Sequence, residues 1–351
     1  MAQVIEAIGL ISGVLGIISF AQDNFPEQES VGSTVRVTVG LDTSGGLNNA
    51  GGDAPDIRLF NEAGEFLGMK ADPGSVSDGG FLDITVDHND DDNSQATYAL
   101  FSANNDAVCI AYTTITWPSG DQYTWMGDWG HQCGGSWYYS NVYVSGSDAK
   151  PDCLWIDANN DQPQTGFQVH WPTFSADDTS IPDDDAGKQD FIDSVCSGGP
   201  SFKMSMYPDT DPNSITYTIP SNDGKRSIAT ASYRQPLHVR RASRLRSSAF
   251  AARSNGTATG TSNPHAGSLV IDNDAAHAAQ ALCESETSVG PSFVNVAEGN
   301  FCRMTDKTLW PVCGDGVADN CFNTDSQKLI QNGVASRDES YTRVLDWTTT
   351  N

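Results

Sequence analysis

The sequence predicts a mainly β fold: an antiparallel β-sandwich that follows an apolar N-terminal helix and precedes a small, disulfide-rich α+β module. Between residues 31 and 171, apolar and polar residues alternate with a period of two in short runs. Gly, Asp and Asn separate these runs and are typical of turns. The eight cysteines divide into four before and four after a basic segment, residues 223–262, as two separately cross-linked bodies would require.

Residues 1–26 contain the predicted N-terminal helix. Residues 4–21 are apolar except for Glu6. As a helix they would span about 27 Å, slightly less than the hydrocarbon core of a bilayer. Three interpretations stay open: an atypical cleaved signal or signal anchor, a helix packed on the β domain, and a membrane-inserting or self-associating helix. Membrane contact through residues 4–21 is therefore one expected interaction.

Residues 27–222 form the predicted β domain, with acidic loops. The sandwich is expected within about residues 27–175, and residues 176–222 are predicted to be an acidic loop with one short strand pair. The predicted strands cover residues 34–39, 56–61, 65–68, 81–86, 96–101, 108–117, 137–144 and 166–171.

Tryptophans are concentrated in this domain, with six of the eight between residues 117 and 171. Exposed rings of this kind stack on sugar faces, whereas rings inside a sandwich fill its core. Trp125 and Trp129 have the most turn-like context, around Gly127, and are expected to be exposed. They are the candidate carbohydrate-binding residues, and core packing is the alternative for the cluster.

Two acidic stretches alternate oxygen donors at the spacing seen in calcium loops. They consist of Asp157, Asn159, Asp161, Asp209, Asp211 and Asn213. Neither has the Gly and Glu positions of an EF-hand, so a calcium ion and a solvated acidic loop both remain open. No other cofactor is expected.

Residues 223–262 form a predicted linker with eight basic residues and one acidic residue, in a chain whose formal charge is −26. The pairs Lys225-Arg226 and Arg240-Arg241 are dibasic sites of the kind that secretory-pathway proteases cut, and exposed polar loops are where cleavage concentrates. An uncut strap on the acidic domains and a contact with phosphate or membrane are the alternatives. The single sequon places a candidate glycan on Asn255.

The cysteines favour an oxidising compartment. Each half has an even number and therefore three possible connectivities, and no C-x-x-C pair suggests a zinc ribbon. Reduced core cysteines in a cytosolic protein are the alternative. The residues are Cys109, Cys133, Cys153, Cys196, Cys283, Cys302, Cys313 and Cys321. The even split, the dibasic pairs and the sequon together predict a secreted or cell-surface protein.

Residues 263–351 form the predicted α+β module. A strand is expected at residues 268–271, and Asn273 or Asp274 is positioned to cap a helix over residues 275–283. A body of about 90 residues has a small core, so disulfides are expected to stabilise it.

Two stretches carry a family resemblance. Residues 5–14 through Asn24-Phe25-Pro26, and residues 282–302 with their Gly290-Pro291 and Phe301-Cys302 pairs, resemble a widespread family of uncharacterised ascomycete fungal proteins. The resemblance implies a fungal, secreted protein and brings no activity with it.

The function expected from these observations is non-enzymatic binding. The negative charge argues against nucleic acid as a partner, and neither H-E-x-x-H nor G-x-S-x-G occurs. Asp128, His131 and Ser136 are residue types used in acyl transfer, but composition without geometry is not a site.

The sequence therefore predicts a secreted proprotein cut in its linker, which binds an extracellular protein or glycan as an effector, toxin-like or wall-associated protein. Whether the modules stay associated after cleavage is open. A membrane-active or self-assembling protein that uses the N-terminal helix, and a carbohydrate-binding protein that uses the clustered tryptophans, are the alternatives.

Overall fold

A computed structural model describes most of the chain, namely residues 22–29, 31–40, 50–89, 94–146, 149–174, 184–220, 226–233, 265, 267–314, 316–336 and 340–348. We call the described residues up to 233 the first module and those from 265 onward the second module. The apolar run at residues 4–21 lies outside the described residues. So do Lys225, Arg240, Arg241 and Asn255.

The first module is built almost entirely of strands. They are β1 (Gly32–Val39), β2 (Gly52–Asp53), β3 (Asp56–Phe60), β4 (Phe66–Lys70), β5 (Ser75–Val76), β6 (Phe81–Asp87), β7 (Tyr98–Ser102), β8 (Val108–Thr116), β9 (Gln122–Met126), β10 (Trp137–Tyr139), β11 (Asp152–Ile156), β12 (Gln164–His170), β13 (Phe202–Met206), β14 (Ser214–Pro220) and β15 (Arg226–Ser232). Two α-helices, α1 (Asp128–Gln132) and α2 (Asp185–Val195), and two 3-10 turns (Gln22–Asn24 and Trp171–Phe174) accompany them.

Six of these strands form one antiparallel sheet, in the order β10-β11-β8-β1-β6, with β9 also paired to β8. In β1, Val35 and Val37 are fully buried, as the alternating pattern predicts. Every residue of β8 is buried, because this strand pairs with β1 along one edge and with β9 and β11 along the other. The long apolar run of β8 is therefore explained by its central place.

Five further strands form a second antiparallel sheet, in the order β13-β12-β7-β3-β4. Buried residues of both sheets belong to one apolar cluster. Trp125 of the first sheet stacks on Phe167 of the second, with ring centroids 4.5 Å apart. A separate hairpin, β14–β15, packs Ile215 against Phe60 and Leu100 on the other face of this second sheet.

The mainly β fold is confirmed, with several antiparallel sheets, and each of the eight predicted strands overlaps an observed one. The strand predicted at residues 137–144 ends at Tyr139, and β9 and β11 were not predicted. Two further segments differ from the sequence prediction. Residues 226–232, assigned to the linker, form β15, which pairs with β14 over its whole length. Residues 185–195, assigned to an acidic loop, form α2, whose N-terminus is capped by Asp184 accepting a bond from the Gly187 amide at 2.9 Å.

The second module has its own mixed sheet. Its strands are β16 (Ser268–Asp272), β17 (Ser292–Asn295), β18 (Asn300–Arg303), β19 (Thr308–Pro311), β20 (Cys321–Asn323), β21 (Lys328–Gln331), β22 (Val334–Ala335) and β23 (Arg343–Asp346). Strand β16 lies between β17 and β23 and runs parallel to both, and the sheet continues through β18 to β19. Strands β20, β21 and β22 form a small antiparallel sheet.

Helix α3 (Ala279–Glu284) begins later than the sequence predicts. The Asp272 carboxylate binds the Asn273 and Asp274 amides at 2.7 and 3.1 Å and so holds residues 272–274 in a turn. The helix starts only where Glu298 accepts a bond from the Ala279 amide at 2.6 Å. A side chain from the following hairpin, distant in sequence, therefore fixes the start of the helix.

All eight cysteines are paired, and each disulfide stays within one module. The pairs are Cys109–Cys153, Cys133–Cys196, Cys283–Cys302 and Cys313–Cys321. This confirms the disulfide framework and selects one of the three connectivities in each half. Of the helices in the described ranges, none combines the length and apolar character needed to cross a membrane.

Candidate functional site

The tryptophans proposed for sugar stacking are buried. Trp125 and Trp129 are each only 1% exposed, so the prediction that they are exposed is wrong. Trp125 is a residue of β9 that stacks on Phe167 and Phe202, and Trp129 meets Phe174 and Phe191 edge-on. Neither ring offers a face to a sugar, because both faces are covered by the core. Burial of such a large apolar side chain also stabilises the fold.

In the first acidic stretch, residues 157–161, the Asp157 carboxylate accepts hydrogen bonds from backbone amides of the same stretch. Asp157 is fully buried, and one of its carboxylate oxygens accepts bonds from the Asn159 and Asp161 amides at 3.0 and 2.7 Å. Burial raises the pKa of Asp157 above its ordinary value, and these amides oppose the effect. The carboxylate therefore holds a turn.

The second acidic stretch is organised in a similar way. Asp209 accepts a bond from the Asp211 amide at 2.9 Å, and Asp211 accepts one from the Ser214 hydroxyl at 2.6 Å. The Tyr233 amide in turn donates to the Asn213 carbonyl at 3.0 Å. In the part of the chain that the structure describes, no three His, Cys, Asp or Glu side chains are grouped to hold a metal ion.

The two modules meet along strand β10. The Trp137 amide donates to Thr287, and Trp137 accepts from the Val289 amide, so β10 forms a parallel bridge with Ser288. Next to this bridge Gly290 lies against the Tyr138 ring so closely that a Cβ there would sit 2.2 Å from a ring carbon. A residue larger than glycine would force the Tyr138 ring or the backbone at position 290 to shift.

Side chains extend this contact on both sides. We call the whole contact between the two modules, backbone and side chains together, the junction. The Trp137 and Trp155 indole nitrogens donate to Ser285 and Val289, each at 2.9 Å. The hydroxyls of Tyr138 and Tyr139 donate to the Pro291 and Ala278 carbonyls at 2.9 and 3.0 Å, and Lys150 pairs with Asp274 at 3.2 Å. The indole and phenol rings thus supply both apolar area and satisfied polar groups.

Two histidine–aspartate pairs flank the junction. In the second module, His277 Nδ1 lies 2.5 Å from the Asp272 carboxylate and the ring stacks on Tyr139. In the first, His131 Nδ1 lies 2.6 Å from the Asp152 carboxylate and the ring stacks on Trp137 at 3.5 Å. Each carboxylate fixes which ring nitrogen carries the proton.

Asp128 lies behind the His131–Asp152 pair and is 5% exposed. Neither of its carboxyl oxygens makes a hydrogen bond of normal geometry with a described residue. Burial, and next the nearby Asp152 carboxylate, hold the pKa of Asp128 well above its ordinary value, while the nearby backbone amides of both residues oppose the shift. The structure therefore pairs His131 with Asp152 and not with Asp128, and Ser136 bonds through its amide to Gln164.

A second site lies under the β14–β15 hairpin, on the second sheet. A pocket of about 430 Å³ opens there between β13 and the hairpin. We call it the hairpin pocket. Its lining includes Leu100, Gln168, Lys203, Asp209, Asp211 and Ile215. The predicted acidic residues Asp209 and Asp211 therefore share a cavity with Lys203, which no sequence pattern marks.

Asp152, Lys203, Asp272 and His277 were not among the predicted site residues. Asp152 pairs with His131, 21 positions away, and no motif marks the other three. No protein-family model and no curated protein sequence matches this chain.

Proposed function

We propose that this chain is a secreted, fungal two-module protein that acts by binding, and that cleavage within residues 223–262 leaves its modules associated. The junction carries the proposal. None of the disulfides joins the modules, yet indole, phenol and backbone groups bond them directly. Among the described residues, the non-covalent contacts of the junction would therefore hold together a chain cut between the modules. Four disulfides support secretion, because such bonds persist in oxidising compartments.

One of the two dibasic sites adjoins a strand of the first module. Arg226 begins β15 and pairs with Pro220, so its backbone is held in a strand. Proteases require an extended segment that can enter their active site, and a paired strand resists this. We therefore assign cleavage to Arg240-Arg241, which leaves β15 in the N-terminal chain. Cleavage after Arg226 would instead transfer β15 to the C-terminal chain.

The sheets of the first module are proposed to be the two layers of an antiparallel β-sandwich. Residues of both sheets share one buried cluster, and the Trp125–Phe167 stack crosses between them. A sandwich would present its loops and the hairpin pocket for binding while its core keeps them rigid.

Intact-mass analysis of the protein secreted by a fungal host tests this function. The expected result is two masses under denaturing, non-reducing conditions, with the C-terminal chain starting at Ala242 and all eight thiols oxidised. The double variant Arg240→Gln/Arg241→Gln should remain one chain, and the control Lys225→Gln should be cut normally. A single chain with free thiols, or cleavage after Arg226, would overturn the proposal.

A further inference from the structure

A groove of about 810 Å³ lies on the outer face of the first sheet, opposite the face that packs into the core. We call it the sheet groove. Thr34 and Arg36 of β1 form its floor, and the outward side chains of β6 form one wall. Residues between 23 and 29 form the opposite wall. The groove is therefore bounded by two strands and by the segment that follows the apolar run at residues 4–21.

Hydrogen bonds fix this segment on the sheet. The hydroxyls of Thr114 and Thr116, on β8, donate to the Asn24 and Pro26 carbonyls at 2.8 and 2.9 Å. Both carbonyls belong to the wall, so the wall is held along its length and the groove is preformed. The chain that follows the apolar run is thus anchored where the groove begins.

Phe81 is the apolar part of the groove that faces solvent. Its side chain is 58% exposed, a larger fraction than for any other aromatic side chain in the described ranges. The Arg36 guanidinium lies 4.0 Å from the centre of this ring and donates to the two Asp83 carboxylate oxygens at 2.7 and 2.8 Å. It also donates to the Asp23 carbonyl. The arginine charge is satisfied inside the groove, and the other face of the ring is left for an occupant.

The apolar run is attached to the chain at this end of the groove. It ends two residues before Asp23, and two residues span at most about 7 Å. Its attachment point is therefore close to the Arg36–Phe81 pair. A segment tethered so near meets the groove at a high effective concentration. Burial against Phe81 would also remove apolar surface of both partners from water.

The length of the run matches the sheet. As a helix, residues 4–21 would be about 27 Å long. Strand β1, with its eight residues, extends over about 26 Å. A run that turns back at its attachment point can therefore lie along the whole groove.

Acidic side chains disfavour other occupants. Glu27, Glu29 and Asp83 line the groove, and the formal charge of the chain is −26. An anionic membrane surface would be repelled by these carboxylates, and so would a second copy of this acidic chain. The apolar run brings only one charge, Glu6, which lies at its far end from the attachment point.

We propose that residues 4–21 dock in the sheet groove as an intramolecular ligand, with their apolar side chains covering Phe81. The groove would be closed in a chain that keeps the run and open to an external partner in a chain that loses it. This inference goes beyond the binding function proposed above and does not depend on cleavage within residues 223–262.

Hydrogen exchange of the full-length protein, read by mass spectrometry of its peptides, tests the inference. The sample is the monomer isolated by size exclusion. Amides of residues 4–21 should exchange at least about tenfold more slowly than in an unstructured chain. Phe81→Asp should speed their exchange about tenfold, the factor expected when the exposed half of a phenylalanine side chain is no longer buried.

Two further variants separate docking from damage to the fold. Phe81→Leu keeps an apolar side chain in the groove and should retain most of the protection. Ile228→Asp, at a side chain of β15 that is 66% exposed, is the matched control and should leave the exchange of residues 4–21 unchanged. Slow exchange of β1 and β8 in each variant verifies that the sheet is folded.

Three results would overturn the inference. The first is exchange of residues 4–21 in the monomer at the rate of an unstructured chain. The second is equal protection in the wild-type protein and in Phe81→Asp. The third is protection that develops only in oligomers, or only after addition of vesicles of phosphatidylcholine and phosphatidylserine, because the run would then bind another chain or a membrane.

Discussion

The junction and the hairpin pocket are both places where a later segment of the chain covers a sheet of the first module, but they treat polar groups differently. At the junction, the tyrosine hydroxyls and two indole nitrogens are bonded, and aromatic rings fill the space between. In the hairpin pocket, Lys203 has no described partner and a cavity of about 430 Å³ remains. A contact whose polar groups are hydrogen-bonded and whose space is filled stabilises the protein. A cavity lined by a polar group without a partner is available to a ligand.

The largest expected effect is at the centre of the junction. Trp137→Ala removes a buried ring that stacks on His131 and bonds Ser285, so it should lower the free energy of unfolding by about 3–5 kcal/mol. Phe81→Ala, at a side chain that is 58% exposed, is the control and should lower it by about 1 kcal/mol or less. Urea denaturation measures both. Equal losses would show that the junction does not stabilise the protein.

The next effect is a pH dependence at His265, which packs its ring near Trp155 across the junction. Burial lowers the pKa of His265 from 6.5 to about 4. Because the folded pKa lies below the unfolded one, the stabilisation by neutral His265 is complete above pH 6.5 and is lost as the pH falls towards 4. The loss should reach about 3 kcal/mol.

Unfolding free energies at pH 7 and pH 4 measure this effect. His265→Gln should reduce the difference between the two pH values, and Val334→Thr, at an exposed side chain that does not titrate, should not. If both variants retain the wild-type difference, His265 does not weaken the junction in acid.

A smaller effect of the opposite sign is expected at Asp128, whose buried carboxylate lies behind the His131–Asp152 pair. Because its folded pKa is raised, ionisation of Asp128 destabilises the protein as the pH rises above the ordinary value of 3.8. Asp128→Asn removes this charge and should raise the unfolding free energy at pH 7 by about 1 kcal/mol or more. Thermal unfolding at pH 4 and pH 7 tests it: a lower melting temperature than wild type at pH 7 would mean that the carboxylate has a stabilising partner.

The smallest stability effect is predicted for the hairpin pocket. Lys203→Met should change the unfolding free energy by less than about 0.5 kcal/mol, because the ammonium bonds no described residue. Lys150→Met, which removes the ion pair to Asp274 across the junction, is the contrasting variant and should cost more. If Lys203→Met were the more destabilising of the two, the Lys203 ammonium would contribute to the stability of the fold.

Local patterns predicted the strands well because alternation along a strand records which face is buried. Val35, Val37 and Val39 of β1 are all fully buried, and their spacing was visible in the sequence. The apolar run at residues 268–271 likewise predicted β16. The disulfide framework followed from cysteine number, although the pairing within each half did not.

Sequence reasoning failed where distant contacts override local signals. The turn-like residues around Gly127 suggested exposed tryptophans, but the large rings of Trp125 and Trp129 pack into the core. Strand β15 lies in a basic, polar segment and is a strand because β14 pairs with it. The His131–Asp152 pair joins residues 21 positions apart on α1 and β11, a separation that no motif encodes.

Native mass spectrometry of cleaved protein tests the central claim most directly. The full-length chain would be cut within residues 223–262 by a dibasic-specific protease and sprayed from neutral solution without reductant. We predict one complex with the summed mass of the two chains, which separates when Trp137→Ala is introduced. Two free chains from the wild-type protein at neutral pH would contradict the claim that the junction holds the modules together.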